Sequence, residues 1–454
     1  MRLRNPADGR TFARVAEDSS AAIAAKVARA RGAQPGWAAA PLARRKAVLK
    51  RFSALLRRRR DGLARTLTQE VGKPITQSYN ELDGLQRRLD FFLGGVDGVS
   101  RDRLVRREAG LEERVSWEPL GVVVNISAWN YPYFVGANVF VPALLTGNAV
   151  VYKPSEHALL TGRRIHDLLS EAGVPKGVFA MVTGAGRAGG LLLEQPVDAV
   201  FFTGSVATGR RVAEAAAKRL IKVQLELGGK DPVYAAADAD PEKAAAAIAD
   251  GAFYNAGQSC CAVERVYVHA RIYERFLAAF LDTVRGFKVG DPAAEDTYLG
   301  PLAREEQLAV LEGQVRDAVA KGARLLLGGR RLRRPGNWFE PTVLDRCTHA
   351  MSLMREESFG PVIGLMRVGS DEEAARLMND TEYGLTAGVY SRSRTRARRI
   401  LARVDAGSAY WNCCDRVSPA LPWSGRRHSG LGLTLSTAGI AAFLRPKAWH
   451  LRRP

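Results

Sequence analysis

Between residues 120 and 228, short apolar runs alternate with helical periodicity, and this alternation constrains the fold more than any other feature of the chain. Val122–Ile126, Ala149–Lys153, Ala199–Thr203 and 223–227 read as strands buried on both faces. Residues 158–172, closed by Gly173-Val174-Pro175, and a segment starting near 206 read as helices between them. Buried strands separated by helices make a parallel, doubly wound sheet, because parallel neighbours need a crossover. A second α/β pattern begins near 231, with helices at 241–255 and 271–286 around a strand at 263–268. At 454 residues the chain exceeds one hydrophobic core, and two or three domains are expected.

Upstream, Asn5-Pro6-Ala7-Asp8-Gly9 is a turn, and 19–38, 41–70 and 75–98 have helical periodicity, broken at Gly72-Lys73-Pro74. From about 101 to 118, charged and apolar residues alternate around Gly110, which predicts an arginine-rich β-hairpin. The tail beyond Pro422-Trp423 is glycine-rich and then mixed.

Residues 121–152 carry no charge, but they hold Pro132, Pro142, four asparagines and three glycines, so they read as a buried strand–loop–helix–strand stretch rather than a membrane span. No signal region opens the chain, and a cytoplasmic location is expected. Five cysteines without Cys-x-x-Cys spacing and six histidines without a His-x-x-x-His pair argue against a disulfide framework and a metal site. The net charge of +20 raises nucleic acid as a partner, but the excess arginine is dispersed. Arg57–Arg60 and 330–334 are its densest spots, and no helix-turn-helix, zinc finger or aromatic platform accompanies them. A solvated basic surface is the favoured reading, with no nucleic-acid partner.

Several residues can do chemistry, and each also has an ordinary structural explanation. Cys260 follows the polar stretch Asn255-Ala-Gly-Gln-Ser259, which suits a nucleophilic thiol at a turn; a buried inert cysteine is the alternative, and neighbouring Cys261 fits it. Glu226 ends an apolar strand before Gly228-Gly229 and is a candidate general base, or a strand-end glutamate paired with lysine. Asn130, in Ser127-Ala-Trp129-Asn130-Tyr-Pro132, offers an amide to an oxyanion, or is a turn asparagine before proline. Thr203-Gly204-Ser205 joins a strand to a helix and can bind phosphate, though it lacks the Gly-x-Gly-x-x-Gly pattern. Lys153 and Glu156 can bond ribose hydroxyls, or form a solvated pair.

Taken in order, these motifs resemble the aldehyde dehydrogenase superfamily over nearly the whole chain. The matching residues are Ser-Ala-Trp129-Asn130-Tyr-Pro, Lys153-Pro-Ser-Glu156, Phe-Thr203-Gly204-Ser205, Glu226-Leu-Gly-Gly-Lys230, Gly257-Gln258-Ser-Cys260 and Glu357-Ser-Phe359-Gly-Pro361, with 34 residues between Glu226 and Cys260. The resemblance implies an α/β fold with a Rossmann-type cofactor domain (1–100 and 119–228), an α/β catalytic domain (229–428), and a small β oligomerisation arm (101–118 and 429–454). It implies NAD-dependent oxidation of an aldehyde to an acid, with NADP possible. Cys260 attacks the aldehyde, Asn130 and the Cys260 amide hold the oxyanion, hydride transfer leaves a thioester, and Glu226 activates the water that releases the acid. The cofactor contacts implied are Trp129, Lys153, Glu156, Thr203, Gly204, Ser205, Glu357 and Phe359. A homodimer or homotetramer is implied as well.

Competing readings are an acylating enzyme that passes its thioester to coenzyme A, disfavoured by the carboxylate at 226, and a nucleic-acid-binding protein on an old enzyme fold. Two departures stand out: Pro422-Trp423-Ser424-Gly425 replaces the usual Pro-Phe-Gly-Gly, and the chain starts at the first family turn. Relatives acting on succinic semialdehyde often carry arginine eight residues after the motif asparagine, where this chain has neutral Asn138. Uncharged aliphatic or aromatic aldehydes are therefore expected to outperform ω-carboxylated ones; Tyr131, Tyr254 and Trp411 either line a partly aromatic channel or pack in the core. Arg416 is the alternative source of positive charge.

Overall fold

The computed structural model describes residues 1–453. Two twisted sheets carry the molecule, and a small arm projects from it. The first sheet runs in the order Gly430–Leu431, Lys222–Glu226, Ala199–Thr203, Val122–Ile126, Ala149–Lys153, Phe179–Met181. All neighbours are parallel except Gly430–Leu431, which is antiparallel to Lys222–Glu226. Alternate strand residues face opposite sides, as strand geometry requires. Val123, Val150 and Phe201 pack under the helices of residues 42–99 and 132–171. Val122, Val124 and Val200 pack under Ile23, Val27, Leu192 and Val212 of the other helical layer. This is the doubly wound sheet that the apolar alternation predicts.

The second sheet runs Arg324–Leu327, Thr342–Asp345, Val362–Val368, Arg265–His269, Pro232–Ala235, Thr386–Tyr390, Ser408–Trp411. It too is parallel, apart from its first strand. The arm is the antiparallel sheet Leu444–Arg452, Leu111–Pro119, Arg103–Glu108, whose hairpin turns at Gly110 with φ +78°. Among the described residues no helix is long and apolar enough to cross a membrane.

Several sequence boundaries move. The helix expected over 41–70 is two helices, Leu42–Arg58 and Arg60–Val71, bent where Arg59 leaves helical geometry at φ −107°, ψ 15°. The strand expected at 263–268 is Arg265–His269, because the Val263 and Glu264 amides donate to Gly251 and Asp231 carbonyls before the ladder begins. The described residues after 428 divide three ways: Gly430–Leu431 extends the first sheet, Ser436–Ala441 packs on Ile75–Val99, and Leu444–Arg452 alone joins the hairpin. The dense arginine spots are largely paired. Arg59 bonds Glu171 at 2.7 Å, Arg60 bonds Asp83 at 2.6 Å, Arg331 bonds Glu312 at 2.8 Å, and Arg334 lies 3.4 Å from the Trp338 ring centre.

Candidate active site

In the first sheet the chain winds one way from Val122–Ile126 to Phe179–Met181, then returns to place Ala199–Thr203 on the other side of Val122–Ile126. Loops leaving the C-terminal ends of these two neighbours diverge and open a crevice. The loop after Ile126 carries Trp129 and Asn130, and the loop after Thr203 carries Gly204 and Ser205. Glu226 ends the next strand opposite Thr203, and its carbonyl accepts the Gly204 N–H at 3.0 Å.

Ser205 caps the helix Val206–Ala217, its Oγ accepting the Thr208 N–H at 3.4 Å. The exposed amides of that first turn suit an anion. Helix and sheet approach closely here, since a Cβ on Gly209 would lie 2.5 Å from Leu227 Cδ2. Lys153, buried at the end of its strand, has Nζ 3.8 Å from Glu156 on the following turn. A pyrophosphate and a dihydroxy ribose fit this donor and acceptor set.

The Cys260 loop is built by three consecutive left-handed residues: Asn255 (φ 54°), Ala256 (φ 53°) and Gly257 (φ 70°). At Gly257 a side chain is impossible, because its Cβ would stand 2.3 Å from the Gly360 carbonyl oxygen. Asn130 Nδ2 donates to Gln258 O at 3.2 Å, and Asn255 Nδ2 donates to the same oxygen at 3.0 Å. A Cβ on Gly229 would lie 2.8 Å from the Cys260 carbonyl, and one on Gly228 would lie 2.5 Å from Glu357 Oε2. These near-contacts bring Asn130, the strand end carrying Glu226, the Cys260 loop and the 357–361 segment together.

The two adjacent thiols are in different environments. Cys260 is half-buried, whereas Cys261 is buried and donates to Asp415 Oδ1 at 3.0 Å. Its hydrogen bond with Cys260, and then burial, push the Cys261 thiol well above the usual range. Glu226 is buried, and Gln224 Nε2 donates to its Oε1 at 3.0 Å. Burial pushes its carboxyl well above the ordinary value, partly offset by Trp423 and Gln224. Glu357 accepts the Gly229 N–H at 2.9 Å, and burial with nearby Glu264 pushes it to about 7. Phe359 packs edge-on to Trp129 with ring centres 5.6 Å apart.

Two ion pairs escaped the sequence reading. Lys73, inside the Gly72-Lys73-Pro74 break, bonds Glu81 at 2.5 Å and the Asn130 carbonyl at 2.7 Å. Glu81 in turn accepts the Tyr133 N–H at 2.8 Å. Lys230 bonds Glu264 at 2.5 Å, and Glu264 accepts the amides of Ser358 at 3.1 Å and Phe359 at 3.0 Å. A lysine inside a helix break was the available hint for the first pair; Glu264 had none. Of the expected channel residues, Tyr131 stacks on Phe134 at 5.8 Å and Tyr254 OH accepts from Asn80 at 3.1 Å. Trp411 is exposed, with its indole on the Ser391 carbonyl at 2.9 Å, and Arg416 is also exposed.

Residues 1–449 match the model of the Aldehyde dehydrogenase family. A betaine aldehyde dehydrogenase of Cereibacter sphaeroides is 37% identical over 449 residues, covering 98% of this chain and 92% of the relative. An NADP-dependent enzyme of Escherichia coli superposes with a TM-score of 0.97 at 32% identity, covering 100% of this chain and 94% of that one. A betaine aldehyde dehydrogenase of Staphylococcus aureus in complex with NAD+ superposes with a TM-score of 0.96 at 31% identity, covering 100% and 92%.

Proposed function

Because the chain belongs to the aldehyde dehydrogenase family, and so oxidises aldehydes with NAD(P), we propose that Cys260 is its nucleophile, Asn130 its oxyanion donor and Glu226 its general base. The observation that carries the assignment is the near-contact of the Gly228-Gly229 turn with both Cys260 and Glu357, which draws the motif loops onto one crevice.

Cys260 adds to the aldehyde carbon, and negative charge moves to the carbonyl oxygen. The Asn130 amide has two N–H groups, and Gln258 O takes one. The other, with the Cys260 amide, serves the oxyanion. Bound NAD(P) supplies the two-electron acceptor. Loss of the aldehyde hydrogen with its electron pair leaves a thioester on Cys260. Glu226 then takes a proton from water, which attacks the thioester and frees the acid and the thiol. A carboxylate at this point favours water over coenzyme A as the acceptor.

Lys153 and Glu156 hold the adenosine ribose, Thr203, Gly204 and Ser205 the pyrophosphate, and Glu357 with Phe359 and Trp129 the nicotinamide end. Glu156 disfavours a 2′-phosphate by roughly 1–4 kcal/mol, so NAD is preferred to NADP. The arm exposes Leu104, Val105, Trp449 and Leu451, and these belong against a second copy in a homo-oligomer. The test is NAD(P)H formation across an aldehyde panel without coenzyme A. Cys260→Ala abolishes it and Cys261→Ala keeps most of it. Substantial activity in Cys260→Ala would refute the assignment.

A further inference from the structure

Three arginines are buried among the described residues: Arg45, Arg88 and Arg265. Arg45 spends its donors on the carbonyls of Leu145, Ala38 and Ala40 at 2.9–3.0 Å. Arg265 does the same with Lys230 and Met378 at 2.8 and 2.9 Å. Arg88 differs. Its one hydrogen bond is a long contact from Nη1 to Gly84 O at 3.4 Å, and its Nε is buried with no partner. No carboxylate pairs with it among the described residues. A buried guanidinium left unsatisfied is costly, and such a group is found where something completes it.

Its position says what that is. The guanidinium carbon lies 3.7 Å from the centre of the Phe134 ring, and Phe134 stacks on Tyr131, the residue after Asn130. Over the Tyr131 ring sits Lys73 Nζ, 3.7 Å from the ring centre and bonded to the Asn130 carbonyl. The ring pile thus leads from the oxyanion residue to Arg88. One helical turn beyond Phe134 is Asn138, whose Oδ1 is likewise buried without a partner. Of the other charges nearby, Glu81 is bonded to Lys73, Asp415 accepts from Ser259 and Cys261, and Arg87 is exposed to solvent.

We propose that Arg88 anchors a carboxylate carried by the aldehyde substrate, at the end remote from the carbonyl. The positive charge absent from position 138 is supplied by the neighbouring helix. A guanidinium fork matches a carboxylate with two parallel hydrogen bonds. The inference rests on the aldehyde-oxidising reading above. It reverses the expectation drawn from Asn138, and it sets this chain apart from a trimethylammonium aldehyde, whose charge is of the wrong sign.

The test compares malonic, succinic and glutaric semialdehydes with propanal, butanal and pentanal, each as substrate for the wild-type enzyme with NAD(P). The best semialdehyde exceeds its uncharged partner in kcat/KM by about 10- to 100-fold, mainly through KM. In Arg88→Met this ratio collapses towards one, and Arg88→Lys restores part of it. Should Arg88→Met fail to fold, competition in the wild type decides: succinate, with a second carboxylate, inhibits against aldehyde about tenfold more tightly than butyrate, which carries only the product carboxylate, and equal inhibition would overturn the anchor. Uncharged aldehydes matching the semialdehydes in the wild type would overturn the carboxylate anchor while leaving the oxidation reading intact. A ratio unchanged in Arg88→Met would overturn it equally. No NAD(P)H with any aldehyde would instead overturn the activity itself.

Discussion

Replacing Glu226 with glutamine separates the two halves of the proposed reaction. Glu226 is buried, and no lysine or arginine pairs with it among the described residues, so burial pushes its carboxyl well above the usual carboxylate range. The substitution exchanges the carboxyl for an amide of the same shape. Its side-chain oxygen can keep the bond from Gln224 Nε2, and folding stability should change by less than about 1 kcal/mol. Thioester hydrolysis, by contrast, loses its base, a factor of about 10²–10⁴ or roughly 3–5 kcal/mol in the barrier. Hydride loss comes earlier and needs no base at this position. Stopped-flow absorbance should show a burst of about one NAD(P)H per active site, followed by slow turnover. The pH profile tests the same point. Only the carboxylate form accepts a proton, so wild-type hydrolysis rises about tenfold per pH unit below the elevated pKa, and Glu226→Gln is flat. A missing burst, or a variant that keeps the wild-type slope, would refute the reasoning.

Glu264→Gln leaves Lys230 buried without its counter-charge and should destabilise the chain by about 3–5 kcal/mol, read by denaturant unfolding, with a raised KM for NAD(P) because Ser358 and Phe359 lose their anchor. Gly209→Ala puts a methyl 2.5 Å from Leu227 Cδ2; this overpacking should cost about 1–3 kcal/mol and weaken cofactor binding, measured by titration. Glu70 is raised from 4.5 to about 7 by burial, so the folded chain holds that proton more tightly than the unfolded chain. Stability should fall by up to about 3 kcal/mol as pH rises from roughly 4.5 to 7, and Glu70→Gln should remove that part of the slope in urea unfolding at several pH values.

What could be read from the residues in advance was what depends on local order. The continuous apolar runs Val122–Ile126, Ala149–Lys153 and Ala199–Thr203 are signals within single segments, and they carried the sheet. The site motifs were legible because each is short and contiguous. Boundaries failed where the backbone departs from its period without a helix-breaking residue to mark it. Arg59 bends a continuous helical pattern, and Asn255 and Ala256 adopt left-handed geometry that neither residue type requires. Pairings between distant segments failed more completely. Glu264 bonds the amides of residues 94 and 95 positions away, and nothing within either segment announces the other.

Those unread pairings explain how polar loops can be held rigidly around a reactive thiol. The loops at 129–131 and 357–361 face the crevice, so apolar packing cannot fix them from that side. Each is instead gripped from behind by a buried lysine–glutamate pair. Lys73 satisfies one oxygen of Glu81, and the other is left for the amide of Tyr133, while the same lysine takes the Asn130 carbonyl. Lys230 neutralises Glu264, whose two oxygens take the amides of Ser358 and Phe359. A buried pair is a weak source of net stability, since desolvation offsets most of its attraction. Its value here lies in direction. A carboxylate with lone pairs to spare fixes two successive backbone amides where a methyl group could only fill space. Arg88 lacks such a partner, and that contrast makes it the buried cation left open to a ligand.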